Sequence, residues 1–100
     1  MPLFIYRGLD GPRGLELRKQ HRPSHLAHME TLDRAGRIRF AGPLLDPSGQ
    51  PVGSLIVLEA DDLESARAVA EADPYNSEGV FERIDVHQTR QIFPALGEGA

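Results

Sequence analysis

Two short segments contain the residue types that could do chemistry, a histidine in one and an aspartate in the other. Residues 18–26 read Arg-Lys-Gln-His-Arg-Pro-Ser-His-Leu and place His25 close to Pro23, a proline within a predicted helix. Residues 72–75 read Ala-Asp-Pro-Tyr and place Asp73 at the end of a second predicted helix, where the macrodipole disfavours negative charge. Both segments break local rules, and such breaks concentrate at functional or strained sites. His25 and Asp73 are therefore candidates for a general acid–base pair.

The spacing leaves two interpretations of this pair open. In the functional one, His25 takes up or delivers a proton while Asp73 hydrogen-bonds the far ring nitrogen and fixes its tautomer. In the structural one, His25 makes a hydrogen bond at a helix border and Asp73 caps a turn before Pro74. From the spacing of His25 alone, the structural interpretation is favoured.

Five further residues could contact a small molecule. Arg18 and Arg22 could hold a carboxylate or phosphate by bidentate contacts, although for Arg18 a solvated helix face paired with nearby glutamates is favoured. Gly42 and Pro43 could bring the backbone close to a ligand, because glycine has no Cβ, or could simply end a strand with a bulge. Tyr75 could donate a hydrogen bond to a substrate, but packing in the core is favoured.

Metal, thiol and serine chemistry are not indicated. His21, His25 and His28 have the spacing of three ligands on a helix, but Pro23 disrupts that geometry and no HExxH pattern is present. The chain has no cysteine, which excludes disulfides and thiolate catalysis. Serine hydrolysis is not indicated either, since Ser24, Ser54 and Ser77 lack a nucleophile-elbow context. We therefore predict neither a metal nor another cofactor.

Composition limits the class of protein and its partners. The chain has 100 residues, 40% hydrophobic and 26% charged, as expected for one soluble globular domain. The net charge of -4 argues against nucleic acid or an anionic membrane as the main partner, because both require a basic surface. The apolar start at residues 3–6 is too short for a signal peptide, and no apolar run approaches a membrane span. We expect a cytoplasmic protein that binds a small molecule.

The hydrophobic pattern predicts the order β-α-β-β-α-β. Strands are expected at residues 3–7, 37–44, 53–59 and about 80–87, and helices at 14–35 and 61–72. The first helix should kink or restart at Pro23, and a capping box of Asp61 with Glu64 should open the second. Right-handed crossovers then favour an α+β, ferredoxin-like fold, a four-stranded antiparallel sheet with two helices on one face. Residues 1–94 form this single domain, and 95–100 are expected to be a frayed tail.

The face of the sheet without helices must be polar or covered by a partner. The strand at residues 53–59 carries the apolar run Leu55-Ile56-Val57-Leu58, so an apolar row remains on the open face whichever alternate set faces the helices. An exposed apolar face of this kind predicts a homodimer.

The chain resembles the YciI-like (YCII-related) family in several motifs that follow one another in order. These are Arg18-x3-Arg22-Pro23-x-His25-Leu26, Gly36-Arg37 leading to Ala41-Gly42-Pro43, Gly53-Ser54, and Ala70-x-Ala72-Asp73-Pro74-Tyr75 with Gly79-Val80-Phe81. The resemblance implies a ferredoxin-like dimeric α+β barrel with a His/Asp-centred active site in a cleft. It also implies a relation to muconolactone-isomerase-like enzymes, including a dehalogenase of chlorinated muconolactones. Residues 87–89 depart from the Pro-aromatic pair common in the family at that point.

Two functions from different classes follow. The first is a cofactor-independent enzyme that performs proton abstraction, isomerisation or elimination on a small anionic molecule such as a lactone or keto acid. His25 and Asp73 would be catalytic, and the substrate would contact the residues Arg22, Gly42, Pro43, Tyr75 and Arg18. The alternative is a non-catalytic dimeric module that binds a small molecule or a protein. The first function predicts that the His25 ring and the Asp73 carboxylate lie within hydrogen-bond distance in a cleft that Gly42 and Pro43 also line.

Overall fold

The computed structural model describes residues 1–95 and contains one antiparallel sheet. The elements are β1 (Leu3–Asp10), α1 (Gly14–Arg34), β2 (Ile38–Leu45), β3 (Pro51–Glu59), α2 (Leu63–Ala72), α3 (Pro74–Ser77) and β4 (Phe81–Thr89). The strand order is β2-β3-β1-β4, and every neighbouring pair is antiparallel. The predicted α+β ferredoxin-like fold is confirmed, but the structure has a third, short helix, α3. The sequence predicts a frayed tail at residues 95–100, and residues 96–100 of it lie outside the part of the chain that the structure describes.

Helix α1 runs from Gly14 to Arg34 without a break at Pro23, so the predicted restart there is wrong. Pro23 lies on the exposed side of the helix and removes only the one hydrogen bond its own N–H would make. Packing of the later turns on the sheet, through Met29 and Leu32, holds the helix together across that gap. Although α1 has 21 residues, neither it nor another helix within residues 1–95 is apolar enough to cross a membrane.

The N-cap of helix α2 lies one residue later than the sequence predicts. Asp62, and not Asp61, is the N-cap, because its extended backbone aims its carboxylate at the N–H of Ser65, 2.8 Å away. The small side chains of Ala66 and Ala70 let the helix pack closely on the sheet. Asp73 then ends α2 and also serves as the N-cap of α3.

The core lies between the helices and one face of the sheet. Phe4 and Tyr6 of β1, with Ile56 and Leu58 of β3, are at most 1% exposed and point toward the helices. Their packing partners come from both long helices and are Met29, Leu32, Ala66 and Ala70. Strict alternation along β1 and β3 therefore determines which side chains can reach a site beneath α1.

The opposite face of the sheet carries apolar side chains that no described helix covers. Leu55 and Val57 lie there, and Val57 pairs with Ile5 of β1 on the same face. Phe40 of β2 pairs with Val57 and is 54% exposed. The apolar row expected from the sequence is present, while the homodimer that it suggests stays a prediction.

Candidate active site

His25 and Asp73 are 48 positions apart in the chain and in direct contact in the fold. His25 Nδ1 donates a hydrogen bond of 2.7 Å to Asp73 Oδ1. Helix α1 supplies the ring, and the turn between α2 and α3 supplies the carboxylate. The Asp73 side chain is 0% exposed and that of His25 is 13% exposed. The predicted contact between ring and carboxylate is therefore present, with Asp73 behind the histidine and shielded from solvent.

Asp73 accepts three hydrogen bonds, and one of them comes from a residue that the sequence did not single out. The backbone N–H of Tyr75 donates to Oδ1 at 2.9 Å, and the hydroxyl of Tyr6 donates to Oδ2 at 2.8 Å. Burial by itself would raise the pKa of Asp73, but the hydrogen bond and charge of His25, together with these two donors, hold it below its usual value. Burial and the Asp73 carboxylate raise the pKa of Tyr6 far above its usual value. At neutral pH Asp73 is thus ionised and Tyr6 is a fixed donor.

The contact with Asp73 determines which nitrogen of His25 can meet a substrate. Because an ionised carboxylate only accepts hydrogen bonds, Nδ1 carries a proton and Nε2 of the neutral ring has its lone pair available. Nε2 makes no hydrogen bond within residues 1–95. Every buried side-chain nitrogen and oxygen in the described part of the chain has a partner, so Nε2 reaches solvent. The ring therefore presents a basic nitrogen outward, as a general base requires.

Tyr75 holds the flat face of the His25 ring. The two rings are parallel, at an interplanar angle of 1° and a centroid separation of 3.8 Å. Tyr75 is 3% exposed, and its hydroxyl donates to the carbonyl of Arg18 at 3.4 Å. Burial raises the pKa of Tyr75 above its ordinary value, so this hydroxyl keeps its proton at neutral pH. Tyr75 packs in the core, as favoured from the sequence, and also lines the site.

Arg18 is buried, and the predicted solvated face paired with nearby glutamates is wrong for this residue. Its guanidinium makes two hydrogen bonds to Asp10, of 2.7 and 2.9 Å, and a third of 3.1 Å to Ser54 Oγ. It also lies 5.0 Å from the centroid of the Tyr75 ring. Asp10 can reach it only because Gly14 is a glycine: a Cβ there would lie 2.5 Å from the carboxylate.

A cavity of about 530 Å³ lies against the exposed side of His25, between α1 and the β2–β3 edge of the sheet. One face of α1 lines it with Leu15, Arg18, Lys19, Arg22, His25, Leu26 and Met29. The opposite wall includes Ala41, Gly42, Pro43, Ser54 and Ile56, and Tyr75 closes one side. The structure therefore brings together His25 and all five residues predicted to contact a substrate.

The cavity is cationic, although the chain as a whole is acidic. Arg18, Lys19 and Arg22 line it, and none of its lining residues carries a carboxylate. Arg22 and Lys19 are exposed, and neither makes a hydrogen bond or ion pair within residues 1–95. The sequence analysis missed Lys19, which helical spacing could have found, since it lies three residues before Arg22.

The other two histidines of α1 do not join His25 around a common point. A ring nitrogen of His28, Nε2, donates to the carbonyl of Val69 at 3.2 Å, away from the cavity. In the part of the chain that the structure describes, no group of three or more histidine, aspartate or glutamate side chains converges as metal ligands would.

The comparison with known proteins agrees with the motifs. A family model described as the YCII-related domain matches residues 3–90. The chain belongs to this family. It is 36% identical over 97 residues to protein YciI of Escherichia coli O6:H1 (strain CFT073), covering 91% of this chain and 99% of that protein. It is 30% identical over 96 residues to a protein of Haemophilus influenzae strain Rd, covering 90% and 98%.

A solved structure also resembles the fold of this YCII-related protein over most of its length. It is the 5-chloro-2-hydroxyhydroquinone dehydrochlorinase TftG from Burkholderia phenoliruptrix AC1100, in complex with 2,5-dihydroxybenzoquinone. The TM-score is 0.79 and the sequence identity 26%, with 89% of this chain and 94% of that chain covered. The family, first inferred from short motifs, and the fold, first inferred from the hydrophobic pattern, are thus supported along nearly the whole chain.

Proposed function

We propose that this YCII-related protein is a cofactor-independent enzyme that moves a proton on a small anionic molecule, such as a lactone or keto acid. The observation that carries the proposal is the His25–Asp73 pair: a buried, ionised carboxylate holds Nδ1–H, and Nε2 opens into a cavity. A histidine held in this way is a competent general base, because its tautomer and ring orientation are set before the substrate arrives.

The first chemical step is removal of a proton from a carbon next to a carbonyl group. His25 Nε2 takes the proton, and the electron pair of the C–H bond becomes that of an enolate. Asp73 stabilises the imidazolium that forms, since its negative charge lies 2.7 Å from Nδ1. Returning the proton to another carbon completes an isomerisation. Expulsion of a leaving group from the neighbouring carbon, with the electron pair of its bond, completes an elimination.

The charge and shape of the cavity support an anionic substrate. Arg22 can pair with a carboxylate through two parallel N–H donors, and Lys19 adds a second positive charge on the same helix face. Met29 and Ile56 provide apolar surface for a carbon skeleton, and Gly42 and Pro43 narrow the opposite wall. TftG, the structural relative, is a dehydrochlorinase, which supports elimination as one of the reactions to test.

The proposal includes assembly as a homodimer through the open face of the sheet. Leu55, Val57 and Phe40 form the centre of an apolar surface there, and a second copy of the chain offers the same surface in return. A dimer of this kind would bury the apolar row on both copies and leave the cavities on the outside.

Proton–deuterium exchange tests the proposed function without knowledge of the complete reaction. Lactones and 2-keto acids are incubated with the protein in D₂O, and loss of the signal of the proton next to the carbonyl is followed by ¹H NMR. We expect exchange of at least one compound, reduced about 10²- to 10⁴-fold in His25→Gln and Asp73→Asn. His28→Gln is the matched control, because His28 lies outside the cavity. Binding of these compounds without exchange would instead establish the non-catalytic binding module.

A further inference from the structure

Ser54 lies in the wall of the cavity, and its hydroxyl uses only one of its hydrogen-bonding positions within residues 1–95. Its Oγ accepts a hydrogen bond of 3.1 Å from Arg18 Nη2, since a guanidinium has only donors. The Ser54 residue is 4% exposed, and it lines the cavity together with His25. Its own O–H donates to no acceptor within residues 1–95. A buried hydroxyl without an acceptor in the protein can donate a hydrogen bond only to a molecule in the cavity.

The partners of Ser54 make it a rigid and strengthened donor. Arg18 is held by two hydrogen bonds to Asp10, so the guanidinium has one orientation. A hydrogen bond accepted from a cation draws electron density from Oγ and polarises the O–H bond, and hydrogen bonds in such chains strengthen one another. Asp10, Arg18 and Ser54 therefore form a chain that ends in a donor at the cavity wall.

We propose that Ser54 donates its O–H to the substrate oxygen that becomes negatively charged when His25 removes the proton. This inference rests on the proposed function, because it is the enolate that develops charge on that oxygen. The proton stays on Ser54 throughout; the hydroxyl makes a hydrogen bond and forms no covalent bond. Donors fixed in advance at the position where charge develops are a large source of rate enhancement. Helix α1 thus supplies the base, and β3 supplies the stabilising donor on the opposite wall.

Anionic probes whose oxygens differ in basicity test the assignment. The probes are 2,5-dihydroxybenzoquinone and a series of substituted phenolates, with dissociation constants measured by isothermal titration calorimetry. In the wild-type protein we expect affinity to rise with the basicity of the phenolate oxygen, as it does when a donor holds that oxygen. In Ser54→Ala we expect binding about 10- to 100-fold weaker and a flatter dependence on basicity. A role for Ser54 limited to supporting Arg18 would weaken all probes equally and leave the dependence unchanged.

Further variants keep the test decisive. Ser54→Thr retains the hydroxyl and should restore the dependence of affinity on the basicity of the probe oxygen. Ser54→Cys places a weak donor of similar size there and should flatten this dependence, which keeps the test usable even if Ser54→Ala fails to fold. Ser77→Ala, an exposed serine on α3, is the control. His25→Gln should lose proton exchange yet keep the dependence on basicity, which separates this inference from the proposed function. A wild-type protein that binds none of the probes, or a Ser54→Cys variant with wild-type dependence, overturns the assignment.

Discussion

Replacing Tyr6 by phenylalanine removes a single hydroxyl from the environment of Asp73. That hydroxyl is fully buried and donates to Asp73 Oδ2 at 2.8 Å, while the ring packs in the core of the sheet. Phenylalanine keeps the ring and its packing, so the variant loses the hydrogen bond to the charged Asp73 and a 3.7 Å contact of the hydroxyl with Met29 Sδ. Such bonds contribute about 1.5–3 kcal/mol to stability. For a domain of this size we expect the melting temperature to fall by roughly 10 °C at neutral pH.

The loss of stability in Tyr6→Phe should depend on pH, because the lost hydrogen bond is made to an ionised carboxylate. The native pKa of Asp73 is lowered, so its contribution to stability is present above the unfolded value of about 3.9 and is lost as pH falls through the native pKa. Removal of the Tyr6 donor raises the native pKa toward the unfolded one. The deficit of Tyr6→Phe is therefore complete at neutral pH and shrinks below about pH 4 as Asp73 becomes protonated in both proteins.

Urea unfolding at a series of pH values, with equal protein concentrations, measures the deficit directly. Tyr75→Phe is the matched control, since its hydroxyl makes only a 3.4 Å contact to the uncharged carbonyl of Arg18. We expect that variant to lose less than about 1 kcal/mol, with no dependence on pH in the acid range. The reasoning is refuted if Tyr6→Phe is no less stable than Tyr75→Phe at neutral pH, or if its deficit persists unchanged in acid.

Two further predictions concern close packing and assembly. Gly8→Ala should destabilise the protein by about 1–3 kcal/mol, because its Cβ would lie 2.5 Å from the ring of Phe81. Gly11→Ala should be near neutral, because the nearest atom to its Cβ would be 3.5 Å away. Thermal unfolding of the two variants compares their stabilities. Val57→Asp, on the open face of the sheet, should dissociate or unfold the proposed homodimer, while Arg67→Asp on the exposed side of α2 should not. Light scattering that shows a stable wild-type monomer at micromolar concentration would contradict the dimer.

The fold was predictable because hydrophobic residues recur at regular spacing within its helices and strands, and the sequence marks where these elements end. Glycine and proline clusters bound the strands, and Gly36, with φ of 72°, directly follows the helix that the sequence predicts at residues 14–35. The short helix α3 was not predictable, since four residues beginning with Pro74 have the composition of a turn. The choice between Asp61 and Asp62 as N-cap depends on backbone geometry that two adjacent aspartates do not reveal.

The site was predictable only where a residue broke a local rule or matched a family motif. His25 and Asp73 did both. Arg18 matched a motif, but its burial depends on Asp10 and on the close approach permitted at Gly14, two residues that no periodicity connects to it. Alternation along β1 places Tyr6 toward the helices, yet nothing local indicates that its hydroxyl meets a carboxylate 67 positions away.

Asp73 shows why the structural and functional interpretations of one residue need not compete. It lies at the end of α2, where the macrodipole disfavours it, but it also begins α3, where its Oδ1 accepts the N–H of Tyr75 as an N-cap should. The same oxygen accepts Nδ1–H of His25, so one carboxylate both starts a helix and orients the ring that we propose as the base. Substitution of Asp73 therefore disturbs fold and chemistry together. His25 caps no helix, so its replacement tests the chemistry without removing the N-cap of α3.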